Sequence, residues 1–162
     1  KIKALRNFGL TSGDHVEYVG TNAKMNEFQA AMGLCNLESI EDYLENRKYV
    51  FKEYVKGLTG IKHVRFLPEL KNVKHNYSYF PILLGSHEIR DTLFEKMKKY
   101  NVYTRKYFYP LCNDFDCYHY TSETTPIAKS ISDSILALPM YPDLNSEEIN
   151  QICEIIKYEL GE

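Results

Sequence analysis

Apolar side chains recur three and four residues apart in several stretches of the chain, and this spacing predicts amphipathic helices. The first such stretch follows a loop rich in glycine and asparagine and ends at Glu38, with Asn22 and Asn26 as candidate N-terminal caps. The first nine residues, KIKALRNFG, are interpreted as the end of another helix. The predicted helices begin near Met25, Ile40, Ser86, Ile127 and Asn145.

Shorter apolar segments rich in branched and aromatic residues predict strands. Pro81 interrupts the second of them, which favours an edge strand or a bulge because proline lacks a backbone donor. The predicted strands are 64–67, 76–84, 102–108 and 135–138. Residues 10–21 and 109–126 lack a clear period and are predicted as loops. Strands that alternate with helices indicate an α/β domain.

Composition excludes several classes of function. The chain has 162 residues and a formal net charge of −2, so no global charge favours nucleic acid or an anionic membrane. No apolar run approaches the roughly 18 residues of a membrane span, and no leader is visible. The four cysteines form no C-x-x-C pair, and the histidines, His75 and His119 among them, are interpreted as surface residues. We therefore expect a cytoplasmic protein with free thiols and no metal site.

The first residue, Lys1, is not an initiator methionine, and the chain starts within an apparent last turn of a helix. A native protein rarely begins at such a point. We therefore expect this sequence to be a piece of a longer chain.

The stretch from Gly20 to Glu38 resembles a family signature, G-x-N-x-R-M-x-x-x-Q-A-A-x-G-x-x-Q-L, of the pyridoxal-phosphate (PLP) sugar aminotransferases known as the DegT/DnrJ/StrS group. Lys24 stands where arginine is usual, and Asn36 where glutamine is usual. The matching positions are Gly20, Asn22, Met25, Gln29, Ala30, Ala31, Gly33 and Leu37. An ordinary capped amphipathic helix is the alternative interpretation.

Two later stretches are similar to the same family. Residues 102–111, VYTRKYFYPL, resemble a strand of members that aminate keto-sugars attached to thymidine diphosphate. Cys112 occupies the position at which many members have a histidine that faces the sugar. Residues 138–144, LPMYPDL, resemble the segment before the family's final helix. The resemblance therefore covers nearly the whole chain.

The resemblance implies an α/β fold: the small C-terminal domain of the aspartate-aminotransferase-like architecture (PLP fold type I), with a small, mainly antiparallel sheet and packed helices. Residues 1–38 would be the end of the large PLP-binding domain with an interface helix, and residues 39–162 the small domain. The parent enzyme would be a homodimer that transfers an amino group, from glutamate, to a nucleotide-linked keto-deoxysugar. Its products would feed bacterial polysaccharide or antibiotic assembly.

The family's positions also imply site residues. Asn22 would contact the PLP phosphate of the partner subunit, with Lys24 beside it, although Asn22 could instead only cap the helix. Arg105, Tyr107 and Tyr109 would bind the substrate, although a surface arginine and core tyrosines are the plainer interpretation. The lysine that bonds the PLP aldehyde would lie upstream, so no catalytic residue is expected in these 162 residues, and the chain alone is expected to be inactive.

Two other functions stay open at this point. Some family members are PLP-dependent sugar dehydratases that have histidine in place of the bonding lysine, and the deciding position lies outside this sequence. A domain that only folds or pairs with a partner is the non-enzymatic alternative.

Overall fold

The computed structural model describes residues 1–68, 70–118 and 124–162. His119, interpreted above as a surface histidine, lies outside the described residues. The chain divides into two compact units, residues 1–41 and residues 42–162. Each unit is described by itself.

The first unit contains two helices and a hairpin, α1 (Ile2–Leu5), β1 (Leu10–Ser12), β2 (His15–Val16) and α2 (Glu27–Glu38). β1 and β2 pair antiparallel, with Leu10 opposite Val16. The prediction that residues 10–21 form only a loop is therefore wrong in part. The two strands are too short to show an apolar/polar alternation, which is the signal that would have revealed them.

The second unit is built on a small antiparallel sheet in the order β3-β4-β5. Its elements are α3 (Ile40–Leu58, which begins at the end of the first unit), β3 (Arg65–Phe66), β4 (Phe80–Leu83), α4 (His87–Lys98), a 3₁₀ turn (Cys112–Asp114), α5 (Pro126–Ser134), β5 (Ile135–Leu138) and α6 (Ser146–Leu160). The predicted helices are all present, and the predicted α/β class with a small antiparallel sheet is confirmed.

Pro81 lies in the central strand β4, so the prediction of an edge strand is wrong. Leu84, three residues on, donates its backbone N–H to Ser134, which precedes β5. Because successive backbone nitrogens point to opposite sides of a strand, the nitrogen of Pro81 faces β3 instead. β3 pairs only with Ile82 and Leu83 and stops before Pro81. The missing donor therefore removes no ladder hydrogen bond.

Residues 102–108 do not form the predicted strand. Only Arg105 pairs with the sheet, through an isolated antiparallel bridge to Ala137. The Arg105 nitrogen lies 3.0 Å from the Ala137 oxygen, and the Ala137 nitrogen lies 2.8 Å from the Arg105 oxygen. The segment thus pairs with the outer edge of β5 at one residue and then turns away from the sheet.

One hydrophobic core joins the sheet to helices α3, α4 and α6. All four residues of β5 are buried, and Phe80 and Ile82 of β4 face inward with them. The helices contribute Val50, Tyr54, Leu58, Leu93, Met97, Ile149, Ile152 and Ile156. Capping boxes begin α2 at Asn26 and α6 at Asn145, and Ser86 caps α4, so local sequence fixes where these helices start. Among the described residues, no helix has the length and apolar character needed to cross a membrane.

Candidate functional site

The loop that precedes α2 is held against the end of α1 by backbone hydrogen bonds. Thr21 donates to Leu5 at 2.9 Å and accepts from Phe8 at 3.1 Å. A Cβ atom on Gly20 would overlap the backbone of Phe8 and Gly9. The φ of Gly20 is not positive, so the close approach of the backbone, and not an unusual conformation, is what requires glycine here. The loop therefore has a fixed backbone.

Asn22 and Lys24 are both exposed on this fixed loop. Asn22 pairs with Asn7 in an isolated bridge. The Lys24 ammonium donates to the side-chain oxygen of Asn7 at 3.1 Å and lies 4.5 Å from the centre of the Phe8 ring. An exposed amide and an ammonium group, held two residues apart, are donors of the kind that bind phosphate oxygens.

The cap of α2 is Asn26 and not Asn22. The Asn26 side chain accepts from the Gln29 nitrogen at 2.8 Å, and the Gln29 side chain accepts from the Asn26 nitrogen at 3.1 Å. The Asn22 amide is therefore not needed for capping. α2 itself has no buried residue, and Phe28, Met32 and Leu37 are 87%, 61% and 66% exposed.

A cleft of about 360 Å³ opens in the second unit beside the end of β5. Its polar and aromatic lining comes from three loops that meet over the sheet. The lining residues are Ser78, Tyr79, Tyr103, Arg105, Tyr107, Ala137, Leu138, Pro139, Met140 and Tyr141. An arginine among tyrosine rings can pair with phosphate oxygens and stack on flat groups.

Arg105 and Tyr107 act as a pair in this cleft. The Arg105 guanidinium donates a hydrogen bond to the Tyr107 hydroxyl, and its central carbon lies 5.4 Å from the centre of the Tyr107 ring. Tyr107 also packs edge-to-face against Tyr79, with ring centres 5.3 Å apart. The guanidinium therefore has a defined direction although it is exposed.

Tyr109 does not line the cleft. Its ring packs instead against the guanidinium of Arg90, 4.4 Å from the ring centre, and against His87 at 5.5 Å. Tyr107 and Tyr109 were expected to share one face of a strand, but residues 106–109 are not strand and the alternation is lost. The structure thus brings Arg105 and Tyr107 together and separates Tyr109 from them.

The sequence alone missed three tyrosines of the cleft, Tyr79, Tyr103 and Tyr141. Each is exposed, at 53%, 69% and 44%, although each lies in or beside an apolar segment. Burial and the nearby carboxylates of Glu148 and Asp143 raise the pKa of Tyr141, so its hydroxyl stays a donor. The sequence carries no signal that separates them from core aromatic residues, because their exposure is seen only in the fold.

The chemistry of these residues fits the phosphate end of PLP and not its aldehyde end. A lysine that bonds the aldehyde has to be desolvated so that its amine loses its proton. The buried polar residues in the described part of the chain are Arg90, Thr104 and Ser132, and no lysine is among them. Asn22 and Lys24 could hold the phosphate, but the described residues include no buried lysine that could bond the aldehyde of the ring.

Residues 1–157 match the model of the DegT/DnrJ/EryC1/StrS aminotransferase family. The chain is 39% identical over 162 residues to the dTDP-4-amino-4,6-dideoxy-D-glucose transaminase of Escherichia coli, a match that covers 96% of this chain and 44% of that protein. The chain thus spans less than half the length of this curated relative.

Solved structures agree with the fold. The chain superposes on S. venezuelae DesV with a TM-score of 0.89 at 21% identity, over 99% of this chain and 43% of that one. It superposes on DesI, solved in the presence of its TDP-sugar product, with a TM-score of 0.84 at 26% identity, over 97% of this chain and 41% of that one. The described units therefore have the architecture of the corresponding part of these proteins.

Proposed function

Because the chain belongs to the DegT/DnrJ/EryC1/StrS aminotransferase family, we propose that it is part of a PLP-dependent enzyme that aminates a nucleotide-linked keto-deoxysugar. Glutamate would supply the amino group. Residues 1–38 would end the large cofactor-binding domain, and residues 39–162 would be the small domain. The match to the Escherichia coli dTDP-sugar transaminase, along almost the whole chain, is the observation that carries this proposal.

The cleft that contains Arg105 would receive the substrate. Its guanidinium, directed by the Tyr107 hydroxyl, supplies charge for a diphosphate. The exposed rings of Tyr79, Tyr103 and Tyr141 supply flat apolar surface for a sugar or a base. Cys112, in place of the family's usual histidine, removes one hydrogen-bonding ring from the sugar site.

PLP, when bound, would carry the amino group between donor and acceptor and draw electrons from the reacting carbon. This chain would contribute only to the phosphate. The Asn22 amide would donate to a phosphate oxygen, and Lys24 would add a positive charge two residues away. Both lie on a backbone that Gly20 locks against α1, so they would be positioned before the cofactor arrives.

The proposed partner is a second copy of the chain, so that Asn22 of one subunit reaches the PLP of the other. The apolar and exposed surface of α2 supports this arrangement, since Phe28, Met32 and Leu37 have no partner within the first unit. Small residues, Ala30, Ala31 and Gly33, would allow a close approach of another element. We place the enzyme in the cytoplasm, where nucleotide sugars and glutamate are available.

Amine transfer by the full-length protein tests the proposal. The purified protein is incubated with PLP, glutamate and a panel of dTDP-, UDP- and GDP-linked keto-sugars, and the amino-sugar product is measured by mass spectrometry. We expect the protein to retain PLP, seen as an absorbance band near the violet end of the visible spectrum. We also expect an amino-sugar product from a dTDP-linked keto-sugar. A protein that retains no PLP, or that retains it and removes water from the sugar without transferring nitrogen, would contradict the proposal.

Two variants of the full-length protein test the site. Asn22→Ala should weaken PLP retention, while Asn150→Ala, which changes an exposed asparagine on α6, should leave it unchanged. Arg105→Ala should raise KM for the sugar nucleotide more than it lowers kcat, because the guanidinium is proposed to bind the substrate in the ground state as well as in the transition state. Equal PLP retention by both asparagine variants would remove Asn22 from the cofactor site.

A further inference from the structure

The segment that carries Arg105 and Tyr107 is held by the sheet at one residue only, the bridge to Ala137. Residues 106–109 have no strand partner, yet they must fix the direction of two side chains that line the cleft. Contacts from α4 and α5, whose residues do not line the cleft, hold this segment.

The first contact is a buried arginine on α4. Arg90 has no exposed surface, although it carries a charge. Its Nε donates to Asp91 at 2.6 Å, its Nη1 donates to the carbonyl oxygen of Ser132 at 3.0 Å, and its guanidinium lies 4.4 Å from the Tyr109 ring. Its Nη2 is buried without a hydrogen-bond partner in the described part of the chain. Because a buried ion pair adds little net stability, we interpret Arg90 as a residue that holds its neighbours in place.

The second contact joins α4 to the residue next to Arg105. The Lys106 ammonium lies 2.5 Å from the same Asp91 oxygen that accepts from Arg90. It also lies 4.6 Å from the centre of the Phe94 ring. Burial opposes ionisation of Asp91, but the hydrogen bonds and charges of Lys106 and Arg90 outweigh it, and the pKa of Asp91 is lowered. The carboxylate is therefore charged at neutral pH and bridges two cations.

The third contact comes from α5. The Ser132 hydroxyl donates to the carbonyl oxygen of Phe108 at 2.7 Å. Lys106, Phe108 and Tyr109 are thus each held by α4 or α5, while Arg105 and Tyr107 are left for the cleft.

We propose that Arg90, Asp91 and Lys106, here called the α4 anchor, are positioning residues that set the direction of Arg105 and Tyr107 in the substrate cleft. This inference rests on the proposed function only in taking the cleft as the place where the sugar nucleotide binds. None of the three residues lines the cleft, so the anchor would act through the backbone of residues 105–109. A purely structural role would lower stability without acting through Arg105.

A double-mutant cycle in the full-length protein separates these roles, with binding of thymidine diphosphate, measured by calorimetry, as the readout. Lys106→Met removes the ammonium that lies over Phe94 and pairs with Asp91, and it keeps a long apolar side chain. We expect it to weaken binding about fivefold in the native background and to have no further effect in an Arg105→Ala background. The matched control Lys96→Met breaks an α4 ion pair with Glu159 that does not line the cleft, and it should leave binding unchanged.

The failures are distinguishable. Equal weakening by Lys106→Met in both backgrounds, or none in the native one, would overturn the anchor. If Arg105→Ala itself leaves binding unchanged, the proposal that the cleft binds the sugar nucleotide fails. A second measurement then tests whether the anchor sets the direction of Arg105. That readout is hydrogen exchange at the Arg105 guanidinium, followed by NMR, which the bond to Tyr107 should slow. Lys106→Met should speed this exchange and Lys96→Met should not; equal exchange in both variants would reject the anchor.

Discussion

The Tyr54 hydroxyl on α3 donates a hydrogen bond to the carbonyl oxygen of Pro139, 85 positions later in the chain, at 3.0 Å. The Tyr54 ring is fully buried and stacks on Phe80 of β4, with ring centres 4.8 Å apart. Burial, aided by nearby acidic groups that include Cys153, raises the pKa of Tyr54, so the hydroxyl keeps its proton. Because Pro139 lines the cleft, a core helix fixes one of its walls.

Replacement of Tyr54 by phenylalanine should destabilise the protein by about 1 kcal/mol, since the ring still packs but the Pro139 oxygen loses its donor. The free energy of unfolding in urea measures the change. Tyr158→Phe, at a tyrosine that is 73% exposed, serves as the control and should change it little. Equal stability of Tyr54→Phe and the native protein would show that the hydrogen bond contributes nothing.

Gly57→Ala should destabilise the protein, although alanine is the better helix former by about 1 kcal/mol. A Cβ atom at residue 57 would lie 2.6 Å from the Cys153 sulfur and 3.2 Å from its Cβ. Cys153 is buried, so α3 or α6 would have to shift, at a cost of about 1–3 kcal/mol. Thermal unfolding of the variant measures the net effect.

The Cys153→Ala background checks the cause of that loss. It removes the sulfur and leaves the more distant Cβ, so Gly57→Ala should be less harmful there than in the native protein. A stabilising Gly57→Ala, or the same loss in both backgrounds, would show that the contact between α3 and α6 does not require glycine.

Local sequence was sufficient for the helices and insufficient for the cleft. Asn26, Ser86 and Asn145 cap the helices that they were expected to begin, because a cap is a contact between residues three positions apart. The predicted strand at residues 102–108 failed because pairing depends on a distant partner, and only Ala137 reaches it. Periodicity carries no information about such a partner.

The role of Arg90 could not be found in the sequence for a related reason. It lies three and seven residues before Leu93 and Met97, on the buried face of α4, but a charged side chain is rarely fully buried and the sequence does not show which groups would pair with it. Its burial follows from α5 and Tyr109, which cover it in the folded unit. The family resemblance predicts Arg105 and Tyr107 as substrate residues, but only the fold separates them from Tyr109 and adds Tyr79, Tyr103 and Tyr141 to the cleft.

Glu159 of α6 should make stability depend on acid pH. Hydrogen bonds from Lys96 of α4 and from the Tyr100 hydroxyl, at 2.6 Å and 2.8 Å, lower its pKa from the ordinary value of 4.5. A lowered pKa in the folded state stabilises the fold above pH 4.5, and this contribution is lost as the pH falls through the folded value.

The variant Glu159→Gln should therefore unfold at lower urea concentration than the native protein at pH 7, and the difference should shrink below pH 4.5. Glu154→Gln is the matched control, because Glu154 is exposed and, among the described residues, forms its ion pair with Lys157 of its own helix. Its effect should be small at both pH values. A Glu159→Gln difference that stays constant with pH would mean that the carboxylate is not the group responsible.

Thiol labelling should separate Cys153 from Cys112 and Cys117. Burial raises the pKa of the Cys153 thiol to about 11, and the charge of Lys157 offsets this only in part. Cys112 and Cys117 are exposed and free. Since the thiolate is the reactive form, a maleimide or disulfide reagent at neutral pH should modify Cys112 and Cys117 before Cys153, as read by peptide mass spectrometry. Cys153 should react only at the rate at which the second unit opens, so mild urea should accelerate its labelling and leave that of Cys112 unchanged. Labelling of Cys153 at the Cys112 rate without denaturant would contradict the packing of α3 against α6.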